Sequence, residues 1–82
     1  MININNCTFK ADRTRANKTS VKAAIEIDSR LCPFEVNITN CTDEGFDAGE
    51  HSGLTLYNFD LKDDGTKPTN LIVKLNGVEQ TL

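Results

Sequence analysis

Val36-Asn37-Ile38-Thr39-Asn40-Cys41-Thr42 repeats Ile2-Asn3-Ile4-Asn5-Asn6-Cys7-Thr8 almost residue for residue, and Val73-Lys74-Leu75-Asn76-Gly77 returns the pattern in fainter form. Apolar and polar residues alternate with a period of two, which buries one face of a short strand and wets the other. A second pair lies between these copies, Ala24-Ile25-Glu26-Ile27-Asp28 matching Gly53-Leu54-Thr55-Leu56-Tyr57. The two types interleave along the chain, with matched copies about 29 to 37 residues apart, a spacing too long for a hairpin meander and suited to a coil. The expectation is that Ile4 lies beneath Ile38, and Ile38 beneath Leu75, in parallel register.

Stacking also accounts for the residues that close the strands. Asn6 and Asn40, with Gly77 in the third copy, are residues that enter the left-handed region cheaply, so a sharp bend at this place selects them as a structural ladder. Asn side chains stacked rung on rung can also hydrogen-bond to one another. Cys7 and Cys41 follow the bend at equivalent places and are expected inward, as small apolar groups.

The bulk numbers fit an all-β chain with a thin core. At 82 residues it is read as one unit, 1–82, of a size that buries about 60–65% of its unfolded surface. Aromatic content is 6%, Trp is absent, and the aliphatic residues come in short alternating runs. Net charge is −3 and the pI is near 4.9, which gives no basic stripe for a phosphate backbone. No apolar stretch approaches the roughly 18–20 residues of a membrane span, and no leader pattern is read in Met1–Lys10. Ile2 enters the strand pattern at once, so Met1 is read as a start added to a fragment. Cys7, Cys32 and Cys41 form no CxxC pair, so free thiols are expected rather than a disulfide framework or a zinc site.

The phrases Ile4-Asn5-Asn6-Cys7-Thr8-Phe9, Lys22-Ala23-Ala24-Ile25-Glu26-Ile27-Asp28 and Val36-Asn37-Ile38-Thr39-Asn40-Cys41-Thr42 resemble coils of pectate-lyase-like right-handed parallel β-helix proteins. The whole chain is similar to the C-terminal end of secreted or surface β-helix proteins of gut bacteria. The resemblance implies a short solenoid of about two to three coils, an extracellular or cell-surface location, and a final strand at Leu71–Leu75 that closes it. The turns Lys10–Val21, Thr42–Ser52 and Asp60–Thr69 are longer than usual connections, which makes the coils oversized and puts contact surfaces there.

If Ile25, Ile27, Leu54 and Leu56 point inward, Glu26 and Asp28 face outward beside His51, Thr55 and Tyr57. The enzymes that this fold resembles bind sugar along one such exposed sheet, with carboxylates as acid and base. Glu26 and Asp28 would stand about 7 Å apart by strand rise, a separation that suits an inverting hydrolase. Alternating acids on a wet face are ordinarily solubilising residues, however, and no catalytic set is assigned. Asp60, Asp63 and Asp64 before Gly65 lack the order and closing Glu of a calcium loop, so no metal or cofactor is read. Asn-x-Thr sequons stand at Asn6, Asn17, Asn37 and Asn40; only Asn17, in a polar turn, suits glycosylation.

The reading is thus a non-catalytic structural or interaction segment closing an extracellular β-helix, with glycan contact. A carbohydrate-active lyase-like or hydrolase-like fragment is the alternative. A small β-sandwich binding domain is a second, disfavoured because no hairpin-type Asn-Gly turn is read between strands. The expected partners are the rest of a longer β-helix, or a second copy, at the open edge where Ile2 and Ile4 lack a preceding strand.

Overall fold

The computed structural model describes residues 1–12, 21–30 and 33–82. Among them the chain is all-β, with strands β1 (Ile2–Asn5), β2 (Thr8–Lys10), β3 (Ile25–Ile27), β4 (Phe34–Thr39), β5 (Thr42–Glu44), β6 (Tyr57–Phe59), β7 (Leu71–Leu75) and β8 (Val78–Glu79). They form one four-stranded sheet in the order β1-β4-β7-β8 and two-stranded sheets β2-β5 and β3-β6. Every pairing is parallel except β7 with β8.

The repeat that opens the sequence sets the main sheet. Ile4 pairs with Ile38 and Ile38 with Leu75, as its alternation requires. Val36, Ile38 and Val73 are fully buried and pack with Ile27, Tyr57, Phe59 and Leu71. Removing one such side chain from water contributes about 1.5–3 kcal/mol. Ile38, between Ile4 and Leu75, is the middle of that stack.

Asn6 and Asn40 both adopt positive φ, 57° and 54°, and Asn40 Nδ2 donates to Asn6 Oδ1 at 2.8 Å. A second rung runs beside it, from Asn37 Nδ2 to Asn3 Oδ1 at 3.2 Å. The bend carries the chain from β1 into β2 and from β4 into β5, so that Thr8 pairs with Thr42. Cys7 and Cys41, just after the bends, are free, half-buried thiols, and Cys41 packs against the core. Cys32 and Asn17 lie outside the described residues.

Gly77 holds the third bend position, two residues past Leu75 as Asn40 is past Ile38, with a positive φ of 84°; Asn76 before it is left-handed too, φ 51°. Four other expectations need correction. Asn76 and Gly77 (φ 84°) then make the two-residue, left-handed turn that Asn-Gly favours, so a hairpin-type turn is present after all. The strand Leu71–Leu75 is consequently not the last: β8 folds back antiparallel, Leu75 against Val78. The turn beginning at Thr42 starts with β5, which pairs with β2. Finally, Ile25 pairs with Tyr57 and Ile27 with Phe59, not with Leu54 and Leu56.

The last shift has a local cause. Gly49 N–H donates to Leu54 O at 2.7 Å and Gly53 N–H to Gly49 O at 2.9 Å, so the chain spends Gly49–Leu54 on a tight loop before joining the ladder. Ala24 and Ile25 N–H donate to Thr55 and Leu56 O at 3.0 and 3.1 Å, and only then does the paired strand begin.

Candidate binding face around Glu26 and Asn58

The register of β3 with β6 decides which side chains share this face. Glu26 stands opposite Asn58, and Asn58 Nδ2 donates to Glu26 Oε2 at 3.3 Å. Asn58 Oδ1 accepts the backbone N–H of His51 at 2.8 Å. A carboxylate only accepts and a backbone N–H only donates, so the two partners fix the orientation of the amide. Asn58 is 5% exposed, since the loop that carries His51 lies over it. His51 itself is half-buried, its ring centroid 5.9 Å from that of Phe59.

The same loop is pinned from within. The Ser52 hydroxyl donates to Tyr57 O and accepts Leu54 N–H at 3.1 Å. A Cβ added at the buried Gly49 would stand 2.8 Å from Leu54 O and 2.9 Å from Tyr57 O, so no side chain fits there.

Of the residues expected on the wet face, Glu26 and Asp28 are exposed, His51 and Thr55 are half-buried, and Tyr57 is turned inward at 2% exposure. Tyr57 therefore cannot contact a ligand on that face, because its partner Ile25 is a core-facing residue and stacked residues point the same way. Burial pushes its hydroxyl up from the ordinary value near 10.0. Asn58 takes the place that was expected of Tyr57.

Asp28 is engaged by Arg30, whose Nε and Nη2 donate at 2.9 and 3.0 Å in a bidentate pair. The Arg30 side-chain hydrogen bonds hold the Asp28 carboxyl below its usual range, with the Arg30 backbone N–H adding to the effect. Arg30 also lies 3.6 Å from Asp63. An acid kept ionised and bonded in this way is a poor general acid. Glu26 keeps an exposed carboxylate, held in place by the buried Asn58 amide.

Behind these acids opens a hollow of about 270 Å³, walled by Ile2 and Ile4 of β1, Ile25 and Ile27 of β3, and Phe34 and Val36 of β4. Glu26 and Asp28 border it. Among the described residues no three Asp, Glu, His or Cys side chains converge to hold a metal ion. No described helix is long and apolar enough to cross a membrane.

Asn58, Arg30, Ser52 and Gly49 escaped sequence reading. For Asn58 the signal was present: Tyr57-Asn58-Phe59 alternates like Ile25-Glu26-Ile27 and ends in a large apolar residue, as a core strand should. No protein-family model matches the chain, and no curated protein or solved structure matches it.

Proposed function

We propose that the chain is a non-catalytic structural and interaction segment, the closing coils of an extracellular right-handed parallel β-helix of the pectate-lyase-like kind. One observation carries this reading. Ile4, Ile38 and Leu75 stack in parallel register, and the stack then ends in an Asn-Gly turn whose return strand covers the edge of β7. The other two ladders repeat in the same chain order, β2 before β3 and β5 before β6, as successive three-sided coils would. The remainder of a longer β-helix, or a second copy, meets the opposite edge at β1.

Glycan contact falls on Glu26 with the Asn58 amide behind it and the His51 loop beside it. The alternative of a carbohydrate-active fragment draws on the two acids that border the hollow, but Asp28 is taken up by Arg30. A glycan array with and without calcium, run beside turnover assays on neutral and acidic polysaccharides, tests both. Binding without turnover, weakened by Glu26→Gln, supports the proposal. Turnover that Glu26→Gln abolishes refutes it in favour of the enzyme.

A further inference from the structure

Cys7 and Cys41 hold the same place on successive rungs, and bonds on either side fix them there. Just before them, Asn6 N–H donates to Thr39 O at 2.9 Å and Asn40 Nδ2 to Asn6 Oδ1 at 2.8 Å. Just after them, Thr42 N–H donates to Cys7 O at 3.0 Å and Thr8 pairs with Thr42. Parallel neighbours in register stand about 4.8 Å apart, inside the Cα separation of about 4.4–6.8 Å that a disulfide spans.

The two sulfurs are placed alike. Cys7 Sγ donates to Asn5 O at 3.3 Å and Cys41 Sγ to Thr39 O at 3.5 Å, each to the carbonyl two residues back in its own strand. Cys41 Sγ also lies 3.5 Å from Ile4 O, so it already leans onto the first rung. Thiols are weak donors, and a change of χ1 between staggered wells gives up these bonds and turns one sulfur toward the other.

We infer that Cys7 and Cys41 are a disulfide-forming pair, thiols in a reducing medium and a covalent staple between rungs in an oxidising one. A small disulfide serves as oxidant. One thiolate of the pair attacks it, forming a mixed disulfide and expelling the first small thiol; the other thiolate then attacks the protein sulfur and expels the second. One S–S bond breaks and one forms, and the two protons and two electrons of the protein thiols leave with the small thiols. The new bond joins positions 34 residues apart, from one bend to the same bend a turn later, and closes the first coil into a ring. Such a link stabilises mainly by restricting the unfolded chain. Only the registers of β1 with β4 and β2 with β5 are needed for this; the location and ligand proposed above are not.

Refolding the full chain from urea into mixtures of reduced and oxidised glutathione tests the pair, with Cys32 as an internal competitor. Cleavage after Lys, Arg and Glu, without reduction, leaves the three cysteines on separate peptides, and mass spectrometry identifies which are joined. In native buffer the Cys7–Cys41 link should be the main product. In urea the Cys32–Cys41 link should prevail, because it closes the shorter loop. In a Cys32→Ser chain the oxidised form should melt about 10 °C or more above the reduced form, and Cys7→Ser added to it should abolish that difference. Another pairing in native buffer, glutathione adducts alone, links between chains, or an oxidised form no more stable than the reduced one overturns the inference.

Discussion

Asn76 Oδ1 accepts the backbone N–H of Asn40 at 2.8 Å, in the place where a continuing strand would have offered the carbonyl of residue 76. One rung earlier the equivalent bond does run to a carbonyl, from Asn6 N–H to Thr39 O at 2.9 Å. The left-handed turn at Asn76 rotates its peptide away, and the side chain supplies the lost acceptor. Asn76 N–H meanwhile donates to Ile38 O at 2.8 Å, so one residue both ends the ladder and satisfies it.

Asn76→Gly keeps the backbone freedom but loses the acceptor, and should cost about 1 kcal/mol in urea unfolding. Asn76→Ala adds the left-handed penalty and should cost about 2–3 kcal/mol. Equal losses for the two would mean that the side chain is not the cap.

Ile38→Ala empties the middle of the Ile4–Ile38–Leu75 column and should destabilise by about 2–5 kcal/mol. Ile4→Ala, at a half-buried position on the first rung, should cost less than half as much by the same logic of partial burial. Chemical denaturation of the two variants, with unchanged slope, checks the order.

Gly49→Ala places a methyl against the Leu54 and Tyr57 carbonyls, and should destabilise by about 2–3 kcal/mol through overpacking. Because the same loop brings the His51 N–H to Asn58, amide exchange at His51 should quicken in this variant before the core of β4 and β7 is affected.

Acid should weaken the fold in a defined direction. Lys74 donates to Glu35 at 2.9 Å, and that side-chain hydrogen bond holds the Glu35 carboxyl below its ordinary value of 4.5. Arg30 does the same for Asp28, and the Thr66 hydroxyl for Asp64. A carboxyl whose pKa is depressed by folding lends stability that is complete above its unfolded value and is lost as pH falls through the folded one. The urea midpoint should therefore be level from neutral pH down to about 5 and fall below about 4. Glu35→Gln should flatten part of that fall; an unchanged slope would show that the Lys74 pair adds nothing to stability.

The main sheet was legible because β1 and β4 are near copies, and their alternation admits one register. Ile4, Ile38, Asn6 and Asn40 fell where the pattern put them. On the third rung Asn76-Gly77 aligns with Thr39-Asn40 as the repeat requires, but the same two residues also make a hairpin turn into β8, which the repeat alone does not record. In the β3–β6 pair, an Ile-x-Ile pattern matches Leu54-x-Leu56 as well as Tyr57-x-Phe59. Only the Gly49–Leu54 loop, a matter of backbone hydrogen bonds that periodicity does not record, decides between them. That single slip moved Tyr57 from the surface to the core and hid Asn58. The Arg30 clamp on Asp28 was hidden for a different reason: nothing in an alternating strand pattern says where a long side chain beyond its end will turn.

The backbone bonds of these ladders run across the strands, from one rung to the next, and this gives the molecule a mechanical grain. Tension applied between the first and third rungs would open the ladders one bond after another, at low force. Tension along β4 would load its bonds to β1 and β7 together, and the same small protein would resist far more strongly in that direction.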